Sequence, residues 1–211
     1  MKIAFIGYGQ VGGPLADRLQ RLGHPVTLAA SDAGSDSVKK ALARNPQLQV
    51  ALPKDAVGGA EVVFLATPFA ANEAAVQAVA EELKGKILVD CTNPVGPNLS
   101  HGLRSEQSGS EWLQKLAPHT QVLKAFTIYG FENFEDSAYP AYSVKPVMMF
   151  CGEQAAAKQV VGGLIAALGF EPLDVGGLNQ ALHLEHMTLL WVRLVRVNKH
   201  SPNLVWAALR R

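Results

Sequence analysis

The chain has 211 residues, 48% of them hydrophobic, with Lys+Arg 19 against Asp+Glu 18. A chain of this length builds one core without disulfide staples, and its composition excludes a disordered segment, a coiled coil and a collagen-like repeat. The formal net charge of +1 provides no electrostatic footprint for nucleic acid or for an anionic membrane surface. Cys91 and Cys151 stand far apart in apolar runs and form no metal spacing. They are expected to be buried, reduced thiols in a cytoplasmic protein. No leader is expected, because Gly7 and Gly9 interrupt the first apolar run. No membrane span is expected either, because the apolar stretch Leu189 to Val197 contains Arg193 and Arg196.

In chain order, strands are predicted near Lys2–Ile6, Pro25–Ala30, Gln49–Leu52, Glu61–Ala66, Lys86–Cys91, Thr120–Phe126, Pro146–Cys151 and Glu171–Val175. Uninterrupted runs such as Val62-Val63-Phe64-Leu65-Ala66 suit strands covered on both faces. Helices fall between them. Val11, Leu15, Leu19 and Leu22 recur at helical spacing before Gly23, and Val76, Val79 and Leu83 do so before Gly85. A third helix runs from Ala155 to Leu168 and stops at Gly169. Asn93–Gly109 is long, polar and rich in Pro and Gly, the mark of a functional loop. Leu184, Met187, Trp191, Leu194 and Val195 mark one helix face, read as core packing. Ser201-Pro202 reads as the start of a short final helix. The alternation implies an α/β fold, a doubly wound parallel sheet with a short C-terminal helical extension. The whole of 1–211 reads as one domain, with a core over 1–127 and further strands and helices over 128–211.

The first strand runs directly into Gly7-x-Gly9-x-x-Gly12, and an amphipathic helix and a second strand follow. That context makes the motif a dinucleotide-binding fingerprint of the Rossmann type. Gly7 allows a tight turn, Gly9 lets the backbone approach a pyrophosphate, and Gly12 lets helix and strand pack closely. Gln10 and Val11 complete the turn, and the free amides of the helix face the phosphates. The adenosine ribose is expected near Ser31 and Asp32 at the end of the second strand. Asp32 favours NAD, Lys39 and Lys40 follow it, and the choice between NAD and NADP stays open. Ligands of open sheets bind beyond the carboxyl ends of strands. Ala66-Thr67-Pro68-Phe69, Asn93-Pro94-Val95 and Thr127-Ile128-Tyr129 fall there. Thr67 and Asn93 can hydrogen-bond ribose or nicotinamide, or serve as caps and turn residues.

No nucleophile elbow, phosphate loop or His-Glu-x-x-His motif is present. His183 and His186 are read as structural or solvent-facing rather than metal ligands, and His24, His101, His119 and His200 as surface residues. No side chain stands out as a catalytic acid.

Gly7-Tyr8-Gly9-Gln10-Val11-Gly12-Gly13-Pro14-Leu15-Ala16, Phe64-Leu65-Ala66-Thr67-Pro68, Val89-Asp90-Cys91-Thr92-Asn93-Pro94, Leu123-Lys124-Ala125-Phe126 and Leu168-Gly169-Phe170-Glu171-Pro172-Leu173-Asp174 occur in this order. Together they resemble the coenzyme F-420-dependent NADP oxidoreductase family, and its relative, the N-terminal reductase domain of the six-transmembrane metalloreductases. The resemblance implies hydride transfer between NADP(H) and a flavin or deazaflavin such as F-420, a reaction that fits the missing acid and needs no catalytic side chain. It implies that Gly9, Gln10 and Val11 hold the pyrophosphate. Thr67, Pro68 and Phe69 would flank the ribose and nicotinamide, with Ala66, Asn93, Pro94 and Ala125 near them. The family usually carries Ser-Arg for the 2′-phosphate, where this chain has Ala30 and Ser31 followed by Asp32. It also tends to have Ala-Phe-Asn-Thr where this chain has Ala125-Phe126-Thr127-Ile128. The partner expected is a small-molecule redox acceptor, and a homodimer is allowed. Two other readings stand beside this one: a reductase of a small carbonyl or imine, and a non-catalytic redox sensor that binds the nucleotide.

Overall fold

Eight strands form one sheet in the computed structural model, which describes residues 1–211. They are β1 (Ile3–Ile6), β2 (Val26–Ala29), β3 (Gln49–Ala51), β4 (Val62–Leu65), β5 (Ile87–Asp90), β6 (Gln121–Lys124), β7 (Val147–Gly152) and β8 (Glu171–Asp174). The strand order is β3-β2-β1-β4-β5-β6-β7-β8. From β1 the chain moves outward to β3 and then returns to β4 on the other side of β1, so the topological switch point lies between β1 and β4.

The first six strands are parallel, as expected, but β7 runs antiparallel to β6 and β8 follows β7 in parallel. The reason lies in the connection after β6. It holds a single short helix, α6 (Glu132–Glu135), and its Tyr129 hydroxyl donates to the carbonyl of Val147. β7 therefore starts at the carboxyl end of β6 and must run back along it. A parallel neighbour would have needed a crossover to the far end.

Both sheet faces are covered. Along β1, Ile3 and Phe5 enter one apolar cluster and Ala4 and Ile6 the other, the alternation that a pleated strand imposes. Phe5 stacks on Phe64 of β4 at 4.7 Å between ring centroids. The helices that cover these faces are α1 (Gly12–Arg21), α2 (Asp36–Arg44), α3 (Pro53–Gly58), α4 (Asn72–Gln77), α5 (Gly109–Leu116), α7 (Ala155–Ala167) and α8 (Ala181–Val192). α4 is shorter than the spacing of Val76, Val79 and Leu83 suggests. Beyond Gln77 the backbone tightens into turns, as in Val79 N–H to Val76 O at 3.2 Å, and all three side chains still reach the core. Gly23, Gly85 and Gly169 take φ of 90°, 73° and 89° where the preceding helical segments stop.

The tail departs from expectation. α8 widens into a π turn over Arg193–Val197, and Ser201-Pro202 opens only one turn before the chain extends to Arg211. Trp191 Nε1 donates to Leu204 O at 2.7 Å, and Val147 N–H donates to Trp206 O at 2.8 Å. A helix would claim those carbonyls for itself, so the tail stays irregular. No helix is long and apolar enough to cross a membrane.

Cys91 and Cys151 are both buried and unpaired. Burial pushes the Cys151 thiol up to about 12, and burial with Asp90 alongside drives Cys91 well above its ordinary range. Both should resist a thiol reagent at neutral pH until the chain unfolds. The unfolded chain forms thiolates above about pH 9 that the folded chain refuses, so the melting temperature should fall as pH rises from there toward about 12. A melting series at alkaline pH with the Cys151→Ala variant, which should flatten the fall, checks this.

Candidate dinucleotide-binding site

At the switch point β1 ends and the glycine turn begins. Gly7 has φ +87°, and a Cβ there would lie 2.6 Å from the carbonyl carbon of Ala66. A Cβ on Gly12 would lie 2.2 Å from the Gly7 carbonyl oxygen. These two glycines let the β1 turn, the end of β4 and α1 meet. Gly9 differs from both, because nothing lies within 4 Å of where its Cβ would stand. The N-terminus of α1 beside it has no side-chain cap and no acidic residue in its first turn. The Gly13 amide is spent on the Gly9 carbonyl at 2.9 Å and Pro14 has none, so the Val11 and Gly12 amides and the partial positive charge of the helix start are left for an anion.

A crevice of about 470 Å³ opens over this turn. Gly7, Gly9, Ser31 and Thr67 line it together, with Tyr8, Ser37 and Pro53, so four predicted residues from three strand ends converge. The other predicted residues are not part of its wall. Gln10 is exposed at the turn, and Val11 is half-buried at the start of α1. Asp32 is exposed, and its Oδ1 accepts from the Gly34 amide at 2.8 Å. Pro68 is exposed, whereas Phe69 packs against Trp112 of α5 with ring centroids 5.4 Å apart. Ala125 is fully buried, its amide bonded to Asp90 O at 3.2 Å. Asn93 Oδ1 accepts from the Thr127 hydroxyl at 2.8 Å, and Pro94 is buried.

From Thr67 a chain of polar groups runs inward. Its hydroxyl donates to Asn72 Oδ1 at 2.7 Å, Asn72 Nδ2 donates to Thr92 Oγ1 at 2.7 Å, and Thr92 Oγ1 donates to Asp90 Oδ1 at 2.7 Å. Asp90 Oδ2 also accepts from Ser110 Oγ at 2.6 Å and from Lys124 Nζ at 3.0 Å. Lys124, wholly buried, donates to Glu185 Oε1 at 3.0 Å and to the Thr92 carbonyl. Burial alone would lower the Lys124 pKa, but Asp90 and Glu185 outweigh it and hold the ammonium above its usual range. Glu185 further accepts from the Gly109 amide at the start of α5 and lies 2.8 Å from His101 Nε2.

His101 was expected at the surface and is 7% exposed. Its Nδ1 accepts from the amides of Leu103 and Ser105 at 3.3 and 3.2 Å. Nε2 therefore carries the proton and donates to Glu185. The ring pins loop 93–108 to α8. His186 touches the same loop, with Nε2 2.9 Å from Ser105 Oγ and its ring edge-on to His101. The signal that could have revealed this network was there: Asp90, Lys124 and Glu185 are charged residues inside otherwise apolar runs. Beyond β6, Phe126 and Ile128 adopt φ of 52° and 63°, uncommon for any residue and strained for a β-branched one. Their side chains are buried, so packing holds the strain, and Thr127 between them meets Asn93 and Thr188.

Comparison with known proteins agrees with this geometry. Residues 2–94 match the family model described as NADP oxidoreductase coenzyme F420-dependent. A crystal structure from Arthrobacter sp. FB24, provisionally described as an F420-dependent NADP-reductase, is 31% identical, with all of both chains covered and a TM-score of 0.90. The F420-dependent NADP reductase of Methanothermobacter marburgensis is 29% identical over 92% of each chain. Metalloreductase STEAP3 of Rattus norvegicus is 34% identical over 89% of this chain, which spans 36% of that protein's length. With a full-length match at this identity, on a sheet that carries its glycine turn at the switch point, the chain belongs to the family of F420-dependent NADP oxidoreductases.

Proposed function

We propose that the protein is an NAD(P)-dependent oxidoreductase that passes hydride between nicotinamide and a flavin or deazaflavin substrate of the F-420 type. The observation that carries this is Gly9, which opens onto the crevice beside the uncapped start of α1. A dinucleotide bound there supplies the hydride at its nicotinamide ring. The chain provides placement. The α1 amides and the bare Gly9 backbone receive the diphosphate. Thr67 spends its proton on Asn72 and keeps its lone pairs for a ribose or carboxamide donor. Asn93, with its oxygen held by Thr127, keeps Nδ2 to donate. Lys124 and His101 are both tied to Glu185 and are not free to serve as acids. That favours ring-to-ring hydride transfer, which works by proximity and alignment, over reduction of a simple carbonyl, which needs a positioned proton donor.

The test is turnover. Purified protein should oxidise NADH or NADPH when supplied with FMN, FAD or F-420, followed by loss of the reduced-nicotinamide absorbance. Binding of coenzyme without turnover on any of these acceptors would sink the reaction and leave the nucleotide site standing.

A further inference from the structure

We propose that the crevice takes NAD(H) in preference to NADP(H), and that Asp32, with Ser31, sets this choice. The inference rests on the reading that the crevice binds a dinucleotide. None of its twelve lining residues carries a charge, and at the ribose end the wall is made by Ser31 and Ser37. Asp32 follows Ser31 directly and stands twenty residues beyond Gly12. That is the place where an acidic side chain accepts from the ribose 2′-hydroxyl and where a basic one accommodates a 2′-phosphate.

The local charges decide between the two coenzymes. Asp32 Oδ1 is held by the Gly34 amide at 2.8 Å, and Oδ2 has no protein partner, so one oxygen is oriented and available. A second carboxylate, Asp36, stands in the first turn of α2, one residue before Ser37. It already occupies the favourable end of that helix. The nearest lysines in sequence are Lys39, Lys40 and Lys54; like Asp32 they stand outside the wall, Lys54 next to the wall residue Pro53 as Asp32 is next to Ser31. Lys39 is 4.0 Å from Asp36, both largely exposed. A 2′-phosphate would bring about −1.5 to −2 charges toward Asp32 and Asp36 with no cation in the wall to meet it. A free 2′-hydroxyl would instead donate to Asp32.

Titration of the intact chain with NADH and NADPH by calorimetry or coenzyme fluorescence tests this. The parent should bind NADH roughly tenfold to a hundredfold more tightly, the scale of one hydrogen bond to a charged group. Asp32→Asn keeps an oxygen for the Gly34 amide but loses the charge, and should narrow the ratio several-fold. Asp32→Arg should bring NADPH level with NADH or ahead of it. Asp32 is exposed, and a thermal melt confirms that both variants fold. A parent that binds NADPH as tightly as NADH overturns the preference. A preference for NADH that neither variant alters overturns the role of Asp32. A parent that binds neither coenzyme overturns the dinucleotide site itself, and this inference with it, a result distinct from both.

Discussion

Replacing Lys124 with methionine is expected to lower the unfolding free energy by about 3–5 kcal/mol, read from the urea midpoint at neutral pH. The loss does not come from volume, because methionine fills much of the same space. It comes from Asp90 and Glu185, which are 0% and 1% exposed and meet the same ammonium at 3.0 Å each. Without it they remain buried with only neutral donors from Ser110, Thr92, Gly109 and His101. Such a deficit is a large fraction of a domain's usual margin of about 5–15 kcal/mol. The contribution of Lys124 should be complete at neutral pH and fade only above about pH 10.5, since its folded pKa is raised above that value. A change below about 1 kcal/mol would mean that the two carboxylates neutralise without cost, and that the network does not hold β5, β6 and α8 together.

Gly9→Leu should show the opposite profile: a melting temperature close to the parent's and a loss of coenzyme affinity of at least about a hundredfold, or about 2.7 kcal/mol. The position is open, with no atom within 4 Å of an added Cβ, and its φ is not one that only glycine tolerates. A side chain there would project into the space that the reading gives to the diphosphate. Gly12→Ala is the control with the reverse outcome. Its methyl would sit 2.2 Å from the Gly7 carbonyl, so backbone must move and stability must fall. Coenzyme titration and thermal melts of both variants separate the two effects. Undiminished binding by a folded Gly9→Leu variant would remove the diphosphate from this turn.

Much of this architecture could be read along the chain, because the signals are local. A strand buried on both faces is written as a continuous apolar run, and Val62–Leu65 forms β4 as expected. In the glycine turn, Gly7 takes a positive φ and a Cβ on Gly12 would meet the Gly7 carbonyl, so two of its three glycines answer to backbone geometry within six residues. What could not be read depends on groups distant in sequence. The antiparallel turn of β7 follows from Tyr129 meeting Val147, and the non-helical tail follows from Trp191 meeting Leu204. His101, alone in a polar loop, carries no local mark of burial, since Glu185 lies 84 residues away.

The amino-acid order by itself determined the strands, the helices α1 and α7, and the glycine turn, since hydrophobic period and backbone freedom act over a few residues. Only the tertiary structure decided that Ser31, Ser37, Gly9 and Thr67 face one uncharged crevice. It alone decided that Phe69 turns instead to Trp112, and that Asp90, Lys124 and Glu185 share one buried contact. A charge inside an apolar run costs too much to bury without a partner, and the partner's identity is settled by which chain segments the sheet brings side by side.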